Sequence, residues 1–157
     1  MLAYRLCGIS YPASSGEGAK RFGGRWNPVG IPAVYAAESR ALCVLERLVH
    51  LVRLPIDEAF TEIHIPDDVS TATVDPCDLP EGWDNPVETS ATQLVGGEIL
   101  ADGKAAVIRV PSIVVPGECC VILNPNHPEF KLIRFEPPIP FRYDHRLRRR
   151  DPDFPRS

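Results

Sequence analysis

Three side chains set the chemistry this sequence can attempt. Arg25 sits in the run Gly23-Gly24-Arg25-Trp26-Asn27-Pro28-Val29-Gly30, Tyr35 follows ten positions later, and Glu46 eleven beyond that. Adjacent glycines reach backbone angles closed to other residues and let a ligand approach the main chain. Arg25 then offers a planar fork matched to a phosphate or a ribose hydroxyl, which lysine would match less well. Tyr35 offers a ring face and Glu46 a negative charge. These are tools for holding a dinucleotide and stabilising positive charge at a ribosyl centre. Each also has a plainer reading: a tight turn with a surface arginine, a core aromatic, and an ion pair of Glu46 with Arg25 or Arg53.

The placement of Glu46 separates these readings best. Ser39–Leu54 is predicted as a helix, with Ser39 as N-cap, Pro55 as stop, and Leu42, Leu45, Leu48, Val49 and Val52 as its apolar stripe. Glu46 falls between Leu42 and Val49, at the border of that stripe. A carboxylate there is paired or used, because burying it alone is costly.

The elements that must position these groups are short. Strands are predicted over Ala3–Ile9, Ile31–Ala36, Ala59–Ile65, Lys104–Val110, Glu118–Leu123 and Lys131–Phe135. Tyr11–Arg21 reads as a loop closing in one helical turn, and Thr71–Asn85 as irregular. Pro86–Leu100 is a second helix, with Pro86 and Glu88 suited to its first turn and Gly96-Gly97 speaking against it. Six strands around two helices predict an α+β domain with a mixed or split sheet.

With 157 residues, 44% apolar and 24% charged, the chain suits one folded domain. Seventeen prolines, against an ordinary share of roughly 5%, imply stiff joints between short elements. A net charge of −4 does not favour nucleic acid or an anionic membrane, although Arg142, Arg146, Arg148, Arg149, Arg150 and Arg156 crowd the last sixteen positions. That divides the chain into 1–141 and an arginine- and proline-rich tail, 142–157. Five cysteines without a CxxC predict neither a disulfide framework nor a zinc ribbon; Cys7 and Cys119 or Cys120 read as small core residues. The four histidines are dispersed, so no metal site is expected. No GxGxxG, phosphate-loop, GxSxG or HExxH pattern occurs. The opening Met1–Arg5 lacks the basic region and apolar core of a secretory signal, and no apolar run is of membrane-spanning length, which predicts a cytoplasmic protein.

The run Gly18-Ala19 … Gly23 to Gly30 … Val34-Tyr35 … Leu45-Glu46 resembles the N-terminal signature of the RES-domain family, and Val110 to Glu118 … Leu123 to Pro128 resembles its C-terminal signature. The two span Tyr4-Arg5 to about Phe135 in the right order. The family's Arg, Glu and Ser fall on Arg25, Glu46 and Ser112. One departure is Gly97-Glu98-Ile99-Leu100, where relatives often carry Trp-Leu after a glycine. The resemblance implies an ADP-ribosyltransferase-like fold and the toxin of a bacterial toxin–antitoxin pair that depletes NAD+ by breaking its nicotinamide–ribose bond, by hydrolysis or phosphorolysis. Some related members transfer ADP-ribose to a protein instead. It implies Glu46 and Arg25 as catalytic groups and Arg25, Tyr35, Ser112, Gly24 and Asn27 as NAD+-binding, with Ser112 on the nicotinamide amide or ribose; His127, between Asn126 and Pro128, reads as a structural turn with lining the pocket as the alternative, and Tyr4 as a brace of the site from the first strand. NAD+ is then a substrate, with no prosthetic group. The implied partners are an Xre-like antitoxin and a second copy of the chain, with no membrane or direct nucleic-acid contact. The competing readings are a mono-ADP-ribosyltransferase and a non-catalytic module held by an Arg25–Glu46 ion pair.

Overall fold

Short, proline-bounded segments build a single sheet in the computed structural model, which describes residues 1–147. The strands are β1 (Leu2–Gly8), β2 (Val34–Ala37), β3 (Glu58–His64), β4 (Thr71–Thr73), β5 (Val107–Pro111), β6 (Cys119–Leu123), β7 (Arg134–Phe135) and β8 (Ile139–Phe141). Their order is β4-β5-β6-β2-β1-β3-β7, with β8 also on β3. Only the β4–β5 pairing is parallel, so the sheet is mixed and the α+β expectation holds.

Strand alternation sorts side chains onto two faces. Ala3, Val34, Ala36, Ile63, Val107, Val121 and Leu123 form one buried layer with Ile133, Phe130 and Phe135. The other face carries two helices side by side. α2 (Arg40–Leu48) sets Leu42 and Cys43 onto Leu6, Ala37 and Phe60. α3 (Ser90–Asp102) sets Leu100 and its neighbours onto Trp26, Ile108, Val110 and Ile122. Cys120 touches both clusters, and Tyr35 belongs to the second, so these two residues mark the seam between the helices.

Several expected boundaries move. Ser39 caps α2 as expected, its Oγ accepting from the Leu42 amide at 3.1 Å, but the helix stops at Leu48 instead of Leu54. The packing face is Leu42–Cys43. Of the predicted stripe Leu42 is buried, while Leu45, Val49 and Val52 turn outward, 41%, 45% and 95% exposed. Helices of this length persist where a face is buried, and beyond Leu48 little is. Pro86 and Glu88 precede α3, although the Glu88 carboxylate still accepts from the Ser90 amide at 2.8 Å. The Ser90 hydroxyl first, and then its amide, hold the Glu88 carboxyl below its ordinary range. α3 runs on through Gly96-Gly97, and Gly103 closes it in the left-handed conformation.

The stretch 71–85 is not wholly irregular: β4 and a 3-10 turn, Pro76–Asp78, lie within it. The loop after β1 closes in a short helix, α1 (Glu17–Phe22). The strand predicted over Lys131–Phe135 shrinks to β7, preceded by a 3-10 turn, Pro128–Leu132. Past Pro137 the chain adds β8, and Tyr143 packs edge-on to Phe141 at 4.8 Å between centroids. The arginines at 148, 149, 150 and 156 lie outside the described residues. All five cysteines are free thiols, and Cys43 is the buried one. Among the described residues no helix is long and apolar enough to cross a membrane.

Candidate active site

The glycine-rich loop is built around Asn27, which is fully buried. Its Nδ2 donates to the carbonyls of Ala19, Pro28 and Ile31 at 2.9, 3.2 and 2.8 Å. Its Oδ1 accepts from the Tyr35 hydroxyl at 2.7 Å, and that hydroxyl accepts from the Trp26 amide at 2.9 Å. Gly24 has to be glycine, because a Cβ there would lie 2.6 Å from the Tyr35 oxygen. Gln93 of α3 completes the cradle by donating to the Gly24 carbonyl at 2.9 Å. Gly24, Asn27 and the Tyr35 hydroxyl therefore hold one another. Burial pushes the Tyr35 phenol far above its ordinary value, so it stays a neutral donor.

Tyr35→Phe would leave the Trp26 amide and Asn27 Oδ1 without this partner, at a cost of about 1–3 kcal/mol. A lower denaturant midpoint with an unchanged slope is the expected result; an unchanged midpoint would show that the hydroxyl does not hold the loop.

This cradle carries Arg25 between Gly24 and Trp26. Its guanidinium donates to the carbonyls of Trp83 and Asn85 at 3.2 and 2.8 Å, and Trp83 tilts against Trp26 with centroids 6.4 Å apart. Partial burial lowers the Arg25 pKa, and the Glu46 carboxylate is the strongest of the charges opposing that shift, ahead of Tyr35 and Asp84. Arg25 and Glu46 thus share one electrostatic neighbourhood.

Glu46 itself is half-buried on α2. Its Oε1 accepts from Ser112 Oγ at 2.6 Å and from Cys120 Sγ at 3.2 Å. These are neutral donors, so Glu46 is not spent on an arginine; the neighbouring Arg47 pairs instead with the buried Glu58 at 2.7 Å. Ser112 sits just past β5, where its Oγ accepts from the amides of Val114 and Val115 at 3.1 and 3.0 Å. Both its lone pairs being taken, its one proton goes to Glu46. Ser112 thus donates to the Glu46 carboxylate, where the family resemblance implies a donor to the nicotinamide amide or ribose.

Of the two further pocket candidates, His127 stays apart from the cluster, while Tyr4 packs in the same apolar group as Cys120. His127 lies beyond the far end of β6, where its Nδ1 accepts from the Glu129 amide at 3.1 Å and its Nε2 is 3.5 Å from Ser70 Oγ. It stabilises a turn. Tyr4 packs under α2 with the Arg40 guanidinium 5.3 Å from its ring centre.

Cys120, Gln93, Trp83 and Asn85 do not stand out in the sequence. Cys120 becomes visible only through register: Ala37 and Val110 flank it, which sets it on the same face as Tyr35. An apolar cleft of about 160 Å³ opens past the C-terminal end of α2, lined by Leu45, Val49, Val52, Leu54, Val114 and Leu147; Glu46 is not among the residues that line it.

The arrangement is a carboxylate steered by two neutral donors, with a guanidinium in its electrostatic neighbourhood on a loop whose backbone is fixed by an internal network. Residues 2–144 match the RES domain family. The chain is 41% identical over 140 residues to the Prs ADP-ribosylating toxin of Sphingobium sp. (strain YBL2), covering 87% of each protein. It is also 41% identical over 153 residues to Toxin Res of Photorhabdus laumondii, covering 94% of this chain and 97% of that one. A 44-residue stretch, 27% of this chain and 24% of the relative, is 54% identical to the NAD(+) phosphorylase MbcT of Mycobacterium tuberculosis. The M. tuberculosis MbcT-MbcA toxin–antitoxin complex has a similar fold, with a TM-score of 0.66 at 22% identity over 89% of this chain and 83% of that one. With the family match running almost end to end and a relative this similar along its whole length, the chain belongs to the RES domain family.

Proposed function

We propose that this chain is the toxin of a toxin–antitoxin pair and that it cleaves the nicotinamide–ribose bond of NAD+. The observation that carries the reading is the Glu46 carboxylate, held on Oε1 by Ser112 and Cys120 with the Arg25 charge in its neighbourhood. Glycosidic cleavage ordinarily takes two carboxyl groups, one of them to protonate the leaving group. Nicotinamide in NAD+ is already cationic. When the bond to the ribose carbon breaks, its electron pair goes to the ring nitrogen and nicotinamide departs neutral, with no proton donor. The remaining demand is stabilisation of the oxocarbenium-like sugar, which one fixed carboxylate meets in a site that needs no reorganisation.

Glu46 takes that role and also accepts a hydrogen bond from a ribose hydroxyl. Arg25 grips the pyrophosphate or the ribose, exchanging its bonds to the Trp83 and Asn85 carbonyls for the ligand and supplying position instead of a proton. The Tyr35 ring lies against the nicotinamide, whose positive charge suits an aromatic face. Gly24 and Asn27 act by shaping the loop. No prosthetic group enters the chemistry. A cognate antitoxin, Xre-like by the family resemblance, is the proposed partner, in keeping with the relative whose structure is a toxin–antitoxin complex. The proposed location is the cytoplasm, where NAD+ is available.

Purified protein incubated with NAD+, with and without phosphate, tests this by mass spectrometry of the products. Free nicotinamide is expected in both, with ADP-ribose in water and its 1-phosphate where phosphate is the acceptor. Intact NAD+ in both arms would overturn the reading. Transfer to a protein is the second reading, favoured by the 41% identity to a toxin named as ADP-ribosylating. It shares the same bond cleavage and differs only in the acceptor; label from adenine-labelled NAD+ would then appear on protein.

A further inference from the structure

We infer that Cys120 is a positioning residue for Glu46: its thiol and the Ser112 hydroxyl together hold one carboxylate oxygen and turn the other toward the bound ribose. Both donors meet the same atom, Oε1, Ser112 from the turn after β5 at 2.6 Å and Cys120 from β6 at 3.2 Å. Among the described residues no donor reaches Oε2, so that oxygen is the one directed outward.

The choice of donors follows from the charge required. A lysine or arginine on Oε1 would fix the carboxylate equally well but neutralise the field that stabilises a ribosyl cation. A hydroxyl and a thiol set its direction and leave the charge in place. Ser112 is locked by its two amide donors, and Cys120 is locked by its place on β6 between Ala37 and Val110, where it packs in the clusters under both helices. The thiol carbon and sulfur suit that apolar seam, where an amide or carboxamide would need further partners.

The thiol has to remain protonated to donate. Burial raises its pKa well above the ordinary thiol value, and the Glu46 charge raises it further. The other titratable groups facing it are the Cys43 and Cys119 thiols and the Tyr35 phenol. Cys43 is engaged elsewhere, since its thiol donates to the Tyr4 carbonyl at 2.8 Å and fastens α2 to β1. The Arg25 guanidinium, electrostatically tied to Glu46 from the glycine loop, stays out of hydrogen-bond contact with it.

Two measurements test the assignment, and one of them does not depend on the NAD+ reading. In the full-length protein, site-resolved iodoacetamide alkylation of Cys120 should run about tenfold faster in Glu46→Gln than in the wild type, because the neutral amide removes a charge that favours the thiol over the thiolate. The exposed Cys77 should react at the same rate in both. Equal Cys120 rates would overturn the proposal. In turnover, Cys120→Ala should lower kcat about tenfold with KM for NAD+ within about twofold, since orientation in the transition state is lost and ground-state binding is not. Cys120→Ser, which restores a donor at nearly the same place, should recover most of kcat. Wild-type kcat in Cys120→Ala, or equal defects in the Ala and Ser variants, would overturn the proposal. Should the wild type itself leave NAD+ intact, the proposed function falls, while the alkylation contrast still decides whether Cys120 holds Glu46.

Discussion

Glu46→Gln should lower kcat for NAD+ cleavage by about a thousandfold, the scale of losing a preorganised electrostatic group, and leave thermal stability nearly unchanged. The stability half of this expectation comes from geometry. Glutamine has the same shape, and its Oε1 can accept from Ser112 and Cys120 as the carboxylate does, so the contacts that fix the side chain survive. What changes is the outward atom. An amide NH2 would stand where Oε2 faced the ribose, presenting positive partial charge to a centre that becomes positive as nicotinamide leaves. Arg25→Ala should be comparably inactive, but by another route: it removes the grip on substrate and also frees the carbonyls of Trp83 and Asn85, so KM should rise along with the fall in kcat. Circular dichroism and a melting curve on Glu46→Gln, measured beside product formation, separate chemistry from folding. A Glu46→Gln protein that consumed NAD+ at the wild-type rate would remove the carboxylate from the mechanism.

Local features of this fold are legible in the sequence, and the contacts that join them are not. Ser39 before an apolar periodic run identifies the start of α2, and the β-branched runs at Val107–Pro111 and Cys119–Leu123 announce buried strands, because capping chemistry and burial are local or nearly so. The end of α2 is not local. Leu45, Val49 and Val52 have the spacing of a core stripe, yet the sheet lies under Leu42 and Cys43, and only the register of β1 and β2 decides which face is covered. Cys120 and Glu46 meet across 74 positions of sequence, and nothing in the spacing of either foretells it. Ser112 illustrates a finer limit. Its type and place are readable, but whether its proton goes to a ligand or to Glu46 depends on two amides that the turn after β5 aims at its oxygen. His127 takes the structural turn that its place between Asn126 and Pro128 favours, and its proximity to the second signature in sequence becomes distance once β6 is extended.

The Gly96-Gly97 pair, which argues against a helix on propensity, turns out to be the reason α3 can serve the site, and it yields the second large expectation. Gly96→Ala should destabilise the protein by about 3 kcal/mol or more, the upper range of overpacking in a tight interior, where an open helical site would gain about 1 kcal/mol from the same change. A Cβ on Gly96 would lie 2.1 Å from the Trp26 carbonyl oxygen, 2.9 Å from its carbon and 3.0 Å from its Cα. All three are backbone atoms, so no side chain can rotate out of the way. Either α3 lifts off the sheet or the loop from Gly23 to Gly30 retreats, and the loop carries Arg25. The melting temperature should therefore fall by about 6–12 °C for a domain of this size, and kcat should drop even at temperatures where the protein stays folded, because Arg25 shifts with the loop. Gly97→Ala meets the Pro28 ring at 2.8 Å, a contact with a side chain, and should be milder. Gly18→Ala on α1 meets nothing within 4 Å and should be neutral or slightly stabilising. If Gly96→Ala melted at or above the wild-type temperature, the backbone contact between α3 and the arginine loop would not exist as described, and the placement of Arg25 in the neighbourhood of Glu46 would lose its support.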